Sequence, residues 1–232
     1  MRAVHCATVL FLACTAAATA QVPLGEDPNH HVTFENARFR IVDVNIAPGQ
    51  MSLDHLHELD IATVSMSNSD SRVQVKGRPW GDPRKRTLGE PNVTEYGGKP
   101  LGHRIENIGG TAFQLFAVEN LRKSGWSETP AVVGLATTVG KEGRAFRMYD
   151  VRLVLATPQT SHTHPAPTIA VLINGKVMSD GPDTQAKANA PAAVGLKQLD
   201  QPGQWLLIPA GDTHHLVRLG TTDARVVEIE VR

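Results

Sequence analysis

The stretch Gly203-Gln-Trp-Leu-Leu-Ile-Pro-Ala-Gly-Asp-Thr-His214 places a short apolar run before a turn and a histidine. The run Trp205–Ile208 is typical of a β-strand, and the proline and glycine that follow favour a turn. Similar runs, such as 38–44 and 151–155, alternate with clusters of Gly, Pro, Asn and Asp. No long stretch has helical periodicity. The sequence therefore predicts an all-β fold, either a sandwich or a barrel.

Six of the ten histidines form two copies of one arrangement. Each copy is a His-x-His pair followed by a third histidine, at nearly the same distance along the chain in both copies. The copies are His55, His57 and His103, and His162, His164 and His214. Such spacing indicates a duplicated domain, each copy of which can hold a metal ion.

The repeat extends beyond the histidines. Glu119 follows His103 at the same distance at which Glu230 follows His214. A polar turn at Asn68 corresponds to the Asn174-Gly175 pair, which favours a tight hairpin. The 232 residues suit two domains of about 100 residues each, and the Gly-, Ser-, Thr- and Pro-rich stretch 121–143 is the predicted linker. The stretch 181–195 is predicted to be a loop inserted into the second domain.

Metal binding follows from strand geometry. Residues i and i+2 of a strand point to the same side, so each His-x-His pair aims two imidazoles together. A third histidine from a neighbouring strand completes a face of three nitrogens, and three such ligands leave open positions for water or substrate. The alternative is that each pair forms only a polar strand face, but two pairs with third histidines in register favour the metal interpretation.

The composition limits the classes of binding partner that we expect. Lys and Arg balance Asp and Glu at 23 each, so a nucleic acid or an anionic membrane surface is not expected to bind. The expected partner is a small-molecule substrate or ligand, and pairing of sheet edges would allow a homodimer.

Residues 1–20 have the features of a signal peptide. Arg2 precedes a short apolar stretch, and Ala18-Thr19-Ala20 forms a small-x-small cleavage site before Gln21. The apolar part is too short for a permanent membrane span. We therefore expect a periplasmic or secreted protein, although Cys14 also allows a lipoprotein interpretation.

Cys6 and Cys14 are the only cysteines, and both lie in this segment. Removal of the segment would leave no thiol, which excludes disulfides and thiolate metal ligands from the mature chain. The start of the chain has no Arg-Arg pair, so export in the folded state is not expected. The chain would then collect its metal outside the cytoplasm. Availability there and the intrinsic affinity order favour zinc or copper over iron and manganese.

The residues around the histidines resemble the cupin superfamily. Residues 203–214 fit the family's second motif: a glycine, five residues, Pro-x-Gly, two residues and a histidine. Gly49, five residues and His55-x-His57 fit its first motif. The second motif of the first half is eroded, and Pro158 stands in place of the turn glycine before His162. The resemblance covers about 32–119 and 144–232.

This resemblance implies two tandem antiparallel jelly-roll barrels: a bicupin with an N-terminal barrel in 21–120 and a C-terminal barrel in 144–232. It also implies that each barrel holds a divalent metal on its three histidines. Iron, zinc, manganese and copper all remain candidates for that metal.

The family's first motif normally supplies a glutamate four or five positions after the second histidine. No acid occupies those positions in either half. Glu58 adjoins His57 and is expected to point outward, and Asp60 stands at an odd offset. We therefore expect two sites of three histidines without an acid, a set that resembles certain non-haem iron dioxygenases and also suits zinc.

Other polar residues are expected to have lesser roles. We expect His30 and His31 to be exposed and His215 to face outward, opposite to His214. Glu119 and Glu230 are expected to be structural residues of the last strand in each half.

Two functions are compatible with the sequence. The first is a metal-dependent enzyme, dioxygenase-like, that acts on a small chelating substrate, with the second half as the working site because its motif is better preserved. The alternative is a non-catalytic barrel that binds a small molecule or sugar, with a structural metal or none. The absence of an acid favours metal-centred redox chemistry or binding over proton transfer.

Overall fold

A computed structural model describes residues 21–126, 128–132, 137–154, 161–180 and 198–232. Strands dominate this part of the chain, and the helical structure in it is the 3₁₀ turn Leu24–Glu26. The predicted signal peptide with Cys6 and Cys14, the residue Pro158 and the inserted loop 181–195 lie outside the described residues. No helix in the described ranges is long and apolar enough to cross a membrane.

The first half forms two facing five-stranded sheets. One sheet has the order β1-β4-β9-β6-β7 and the other β2-β3-β10-β5-β8. Their strands are β1 (Val22–Pro23), β2 (His30–Glu35), β3 (Phe39–Ile46), β4 (His55–His57), β5 (Ile61–Ser65), β6 (Ser69–Val75), β7 (Arg84–Arg86), β8 (Pro91–Thr94), β9 (Leu101–Asn107) and β10 (Phe113–Asn120).

The second half repeats this plan with a five-stranded sheet, β11-β12-β19-β14-β17, and a four-stranded sheet, β13-β18-β15-β16. Its strands are β11 (Thr137–Glu142), β12 (Phe146–Leu153), β13 (His162–Thr163), β14 (Thr168–Asn174), β15 (Val177–Asp180), β16 (Gln198–Leu199), β17 (Trp205–Ile208), β18 (Thr213–Arg218) and β19 (Ala224–Val231). The predicted all-β fold of two antiparallel jelly-roll barrels is confirmed.

The central strands are buried on both faces. Each barrel has its own hydrophobic core, and a third hydrophobic core lies between the two barrels. In β10, Leu115 and Ala117 face the interior of the first barrel, whereas Phe116 and Val118 face the second barrel. In β19, Val226 faces the interior of the second barrel. Val227 and Ile229 point to the other side of the strand and belong to the core that the two barrels share. Near-continuous apolar runs result, as expected for strands covered on both sides.

Polar contacts also join the halves. Arg225 donates hydrogen bonds to Asp150 in its own barrel and to the carbonyls of Leu88 and Gly89 in the first barrel. The Asn120 side chain, at the end of β10, donates to the carbonyl of Arg232 at 3.0 Å. The two barrels therefore form one packed unit.

The second sheet pair begins earlier than residue 144. Strand β11 lies within the stretch 121–143, which the sequence suggests as a linker, and it pairs with β12 along most of its length. The Asn174-Gly175 turn connects β14 to β15, as its composition predicts, and Gly175 has a φ of 80°.

Candidate metal centres in the two barrels

The two histidine trios occupy the same place in their barrels. In the first barrel His55 of β4 stands opposite His103 of β9, and in the second His162 of β13 stands opposite His214 of β18. The remaining histidine of each pair lies two positions further along the chain, so its ring reaches the same side. Each trio offers ligand atoms within 4.8 Å of one another. The structure therefore brings together both predicted sets of three.

The first trio is buried and its nitrogens are free to bind a metal. His55, His57 and His103 are at most 7% exposed, and their ring centroids lie 4.7–5.0 Å apart. The Nε2 atoms of His55 and His103 are buried and have no hydrogen-bond partner among the described residues. Because an unpaired buried nitrogen is costly, these two atoms fit the role of metal ligands.

Asp27 determines the tautomer of His55. The Nδ1 atom of His55 lies 3.2 Å from the Asp27 carboxylate and 3.0 Å from the carbonyl of Leu53, so Nδ1 carries the proton. The Nε2 lone pair is then available for a metal. A carboxylate behind a ligating imidazole orients the ring and raises its basicity.

His30 is buried, which corrects the expected exposure. It is 5% exposed, and its ring lies 4.5 Å from that of His55 and its Nδ1 3.3 Å from Asp27. The neighbouring His31 faces solvent as expected. The alternation of a strand places adjacent residues on opposite faces, so the pair His30-His31 divides between core and surface.

Two of the three histidines of the first site are uncharged at neutral pH. Burial, together with the neighbouring His103 and His55, lowers the pKa of His57 to about 2. Burial and His55 lower the pKa of His103 to about 3. Neutral imidazole is the form that binds metals, so no proton has to be displaced from these two rings.

The second trio converges on a carboxylate. The Nε2 atoms of His162, His164 and His214 lie 3.3, 3.1 and 3.2 Å from the Glu228 carboxylate. Ligands about 2.1 Å from a shared metal lie roughly 3.0 Å apart at right angles and about 3.4 Å apart in a tetrahedron. The separations fall in this range, so the four residues fit a site of three nitrogens and one oxygen.

Glu228 overturns the expectation that both sites lack an acid. The second barrel has one, supplied by its last strand rather than by the first motif. The pattern Val226-Val227-Glu228-Ile229-Glu230 contained a signal: two carboxylates at i and i+2 in an otherwise apolar strand face the same side. In the first barrel the cluster of His55, His57 and His103 contains no acid, as expected, although His55 also belongs to a second group of possible metal ligands with Asp27 and His30.

Further residues support the second site. Glu230 accepts a hydrogen bond from Nδ1 of His164 at 3.2 Å, and Thr129 donates to the same carboxylate. Burial alone would lower the pKa of His164, but hydrogen bonds to Glu228 and Glu230 raise it to about 9. Burial opposes ionisation of Glu228, yet the three histidines keep its pKa well below the usual value. Glu230 therefore lies behind a candidate metal ligand, whereas the sequence suggested only a structural role for it.

Register shows what the first barrel has at the position of Glu228. Ala117 pairs with Thr63 in β5, and Glu228 pairs with Ala170 in β14. Along the chain, Thr63 follows His57 at the same distance at which Ala170 follows His164. Ala117 likewise follows His103 at the same distance at which Glu228 follows His214. Ala117 thus corresponds to Glu228, and it lines a cavity of about 80 Å³ beside His57 and His103.

The other candidate acids lie away from the histidines. Asp60 is buried but binds Arg144 at 2.7 Å and the backbone N–H of Gly97 at 2.7 Å, so it does not substitute for the missing ligand. Glu58 is exposed, as expected. Glu119 is buried and hydrogen-bonded to Arg40, which agrees with a structural role. His215 is partly buried opposite Asp180, whereas His214 faces the barrel interior.

Comparisons with known proteins identify the fold. No family model matches the chain, and no curated protein matches it. Among solved structures, AerE from Microcystis aeruginosa matches with a TM-score of 0.58 and 13% identity, covering 89% of this chain and 98% of that chain. A cupin 2 conserved barrel domain protein from Leptotrichia buccalis matches at 0.52 and 12%, with coverages of 93% and 100%.

An oxalate decarboxylase from Lactobacillus farciminis, in a formate complex, matches with a TM-score of 0.56 and 11% identity, covering 85% of this chain and 78% of that chain. At these identities the likeness concerns the fold alone. The resemblance to cupins drawn from the motifs is therefore supported by the architecture of the whole chain.

Proposed function

We propose that the protein binds a divalent metal in each barrel and is a metal-dependent enzyme, dioxygenase-like, that acts on a small chelating substrate. The observation that carries this proposal is the convergence of three Nε2 atoms on the Glu228 carboxylate within 3.3 Å. Three imidazoles and one carboxylate suit iron, zinc, manganese or copper and leave positions for a substrate, and metal binding would displace the proton that the raised pKa of His164 keeps on its ring. A metal there would supply Lewis acidity and, if it is iron, manganese or copper, redox chemistry.

The chain's own residues would hold the second site in place. Glu230 fixes the ring of His164 through Nδ1, and Tyr149 lies with its hydroxyl 3.5 Å from the Glu230 carboxylate. This layer restricts the imidazole to one orientation, so Nε2 stays directed at the site.

The second barrel is the proposed working site. An open hollow of about 480 Å³ reaches His164, between Pro130–Val132 on one side and Ala210-Gly211 on the other. The side chain of His164 is fully buried, so the hollow borders the site without exposing this ligand. The oxalate decarboxylase among the fold neighbours acts, by its name, on a small chelating acid, which is the class of substrate we propose.

A non-catalytic function remains the second candidate. The first barrel holds a small, partly open cavity lined by His57 and His103, a suitable arrangement for retaining a small molecule. In this alternative the metals are structural, and the chain binds a small molecule or sugar without converting it.

Export is part of the proposal and is supported by the composition of residues 1–20. N-terminal sequencing of the protein from the periplasmic fraction or the medium should begin at Gln21. An intact Met1 would contradict export through a cleaved signal peptide. A homodimer is likewise proposed, and sedimentation of the mature chain tests it.

Turnover assays separate the two candidate functions. The full mature chain would be loaded with iron, manganese, copper or zinc and incubated with small hydroxy, keto and dicarboxylic acids, with and without oxygen. We expect one metal to support product formation, with oxygen uptake for an oxygenase, and His162→Ala to abolish it. Stoichiometric ligand binding without product for every metal would favour the binding protein.

A further inference from the structure

The cavity of the first barrel occupies the place of a missing carboxylate. Ala117 stands in the register position where the second barrel has Glu228, and its side chain lines the cavity together with His57 and His103. The second barrel thus places an anionic oxygen against its three histidines, whereas the first barrel places a cavity there. A ligand from outside the chain could supply there the oxygen that Glu228 supplies in the second barrel, since Asp27 lies behind His55 and does not line the cavity.

An unpaired cation faces the same cavity. Arg86 of β7 lines it, its Nε atom is buried without a hydrogen-bond partner, and the side chain forms no ion pair with any described residue. Its guanidinium lies over the ring of Phe113 at 5.3 Å. Its neighbour Arg84, by contrast, is exposed and paired with Glu90 at 2.6 Å. The nearby Glu90, which pairs with Arg84, also interacts with the charge of Arg86, but the buried Nε of Arg86 has no acceptor, so an anion in the cavity would be stabilised by it.

No acidic side chain lines this cavity among the described residues. Asp27 approaches from behind His55, and its oxygens accept hydrogen bonds from the backbone N–H groups of Asn29 and Leu53. The remaining walls are mainly apolar, with Leu24, Ile61 and Ile105 among them, and carry a few neutral polar groups such as Asn92 and Tyr96. This lining suits a ligand with one anionic group and a short carbon portion.

We infer that the first barrel binds a small aliphatic carboxylate, whose anionic group lies between Arg86 and the histidine trio in the position that Glu228 occupies in the second barrel. Arginine forms charge-assisted hydrogen bonds with carboxylates, and the planar fork favours this group over a spherical anion. The cavity of about 80 Å³ suits a ligand of a few heavy atoms. This inference rests on one part of the proposed function, namely that the histidine trio of the first barrel holds a metal.

Binding can be measured in the cobalt-loaded full chain. Cobalt content is determined first, and then the broadening of the acetate and glycolate proton signals by the paramagnetic ion is titrated, with acetamide as the uncharged analogue. We expect acetate and glycolate to be broadened at the first barrel and acetamide not to be. Arg86→Gln should weaken carboxylate binding at least about tenfold, because a charge-assisted hydrogen bond is lost.

The matched control is Arg84→Gln, which removes an arginine from the same strand without touching the cavity, and it should bind acetate like the parent. Ala117→Glu should retain cobalt and lose the acetate effect, because its own carboxylate fills the space. Carboxylate binding that is unchanged in both cavity variants, or equal broadening of acetamide, overturns the inference. Displacement of acetate by chloride at equal concentration also overturns it, in favour of a general anion site.

The outcomes separate this inference from the proposed function. If only one cobalt binds and it is lost in His162→Ala, the first barrel holds no metal, and both the proposed metal at that trio and the inference fail. If both barrels load and acetate shows no effect that depends on Arg86, the inference alone fails.

Discussion

At the scale of single residues, the two barrels use carboxylates differently. Glu228 faces three histidine nitrogens directly, whereas Asp27 stands behind His55 and fixes its tautomer. Glu228 belongs to the proposed set of metal ligands, whereas Asp27 acts through the proposed ligand His55. Substitutions at these positions are therefore expected to affect different barrels.

Replacement of Glu228 by glutamine should remove the metal of the second barrel. The amide retains the shape but loses the negative charge, and since even a partner behind a ligand is worth about 10–100-fold in affinity, we expect a loss of at least about 100-fold. Competition with a chelator measures it. Glu35→Gln, which removes a charge from an exposed site, is the control, and equal affinity in Glu228→Gln and that control would contradict the assignment.

Replacement of Asp27 by asparagine should weaken metal binding in the first barrel by about 10–100-fold, because the ring of His55 loses the negative charge behind its Nδ1. The second barrel should keep its metal. Metal analysis of the dialysed protein distinguishes the barrels when it is combined with the Glu228→Gln variant. Asp43→Asn, on the exposed side of β3, controls for loss of a carboxylate near this barrel, and loss of both metals in Asp27→Asn would point to general unfolding.

The residues that the sequence predicted were those fixed by local geometry. A His-x-His pair in a strand aims to one side wherever the strand lies, which identified four of the histidines, and the repeated spacing identified His103 and His214. Glu228 was not, because its role depends on the pairing of β19 with β12 and β14, two strands that lie far from it in the chain. The burial of His30 likewise depends on its packing against His55.

At the scale of elements, the turns set the register that aligns the histidines. Gly175 connects β14 to β15 with a φ of 80°, and a Cβ there would lie 2.6 Å from the Cα of Ala224. Strand β14 pairs with β19, so an error at this turn would be transmitted to the strand that carries Glu228. The Asn-Gly composition predicted the turn, but the close approach of β19 is a tertiary feature and could not be predicted locally.

Gly175→Ala should therefore destabilise the protein by about 3 kcal/mol or more, the sum of a left-handed backbone and an overpacked contact. Gly220→Ala is the matched control, because its φ is 77° and nothing lies within 4 Å of the added Cβ. It should cost about 1–2 kcal/mol. Chemical denaturation measures both, and an equal loss in the two variants would show that the contact with Ala224 has no effect.

At the scale of the whole molecule, the two barrels share a core. Phe116 and Val118 from the first barrel pack with Met148, Ile169 and Ile229 from the second, and all are at most 1% exposed. Neither barrel can unfold alone without exposing this surface to water, so a single cooperative transition is expected. The sequence predicted the duplication but gave no means of telling which strand face would meet the other barrel, since both faces are apolar.

Phe116→Ala should lower the free energy of unfolding by about 3–5 kcal/mol, as expected for a fully buried phenylalanine. Because the side chain lies between the barrels, the loss should also separate their transitions in calorimetry. Val32→Ala, at a position that is 44% exposed, should change stability by no more than about 0.5 kcal/mol. A small effect of Phe116→Ala, with one sharp transition, would contradict the shared core.

The central claim is that each barrel holds one metal on its own three histidines. Metal content per chain, measured by elemental analysis after reconstitution with zinc, iron, manganese and copper, tests it most directly in the parent and in His55→Ala and His162→Ala. The account predicts two metals per parent chain and the loss of one in each variant. A parent chain that takes up none of the four metals, or variants that retain both, would contradict it.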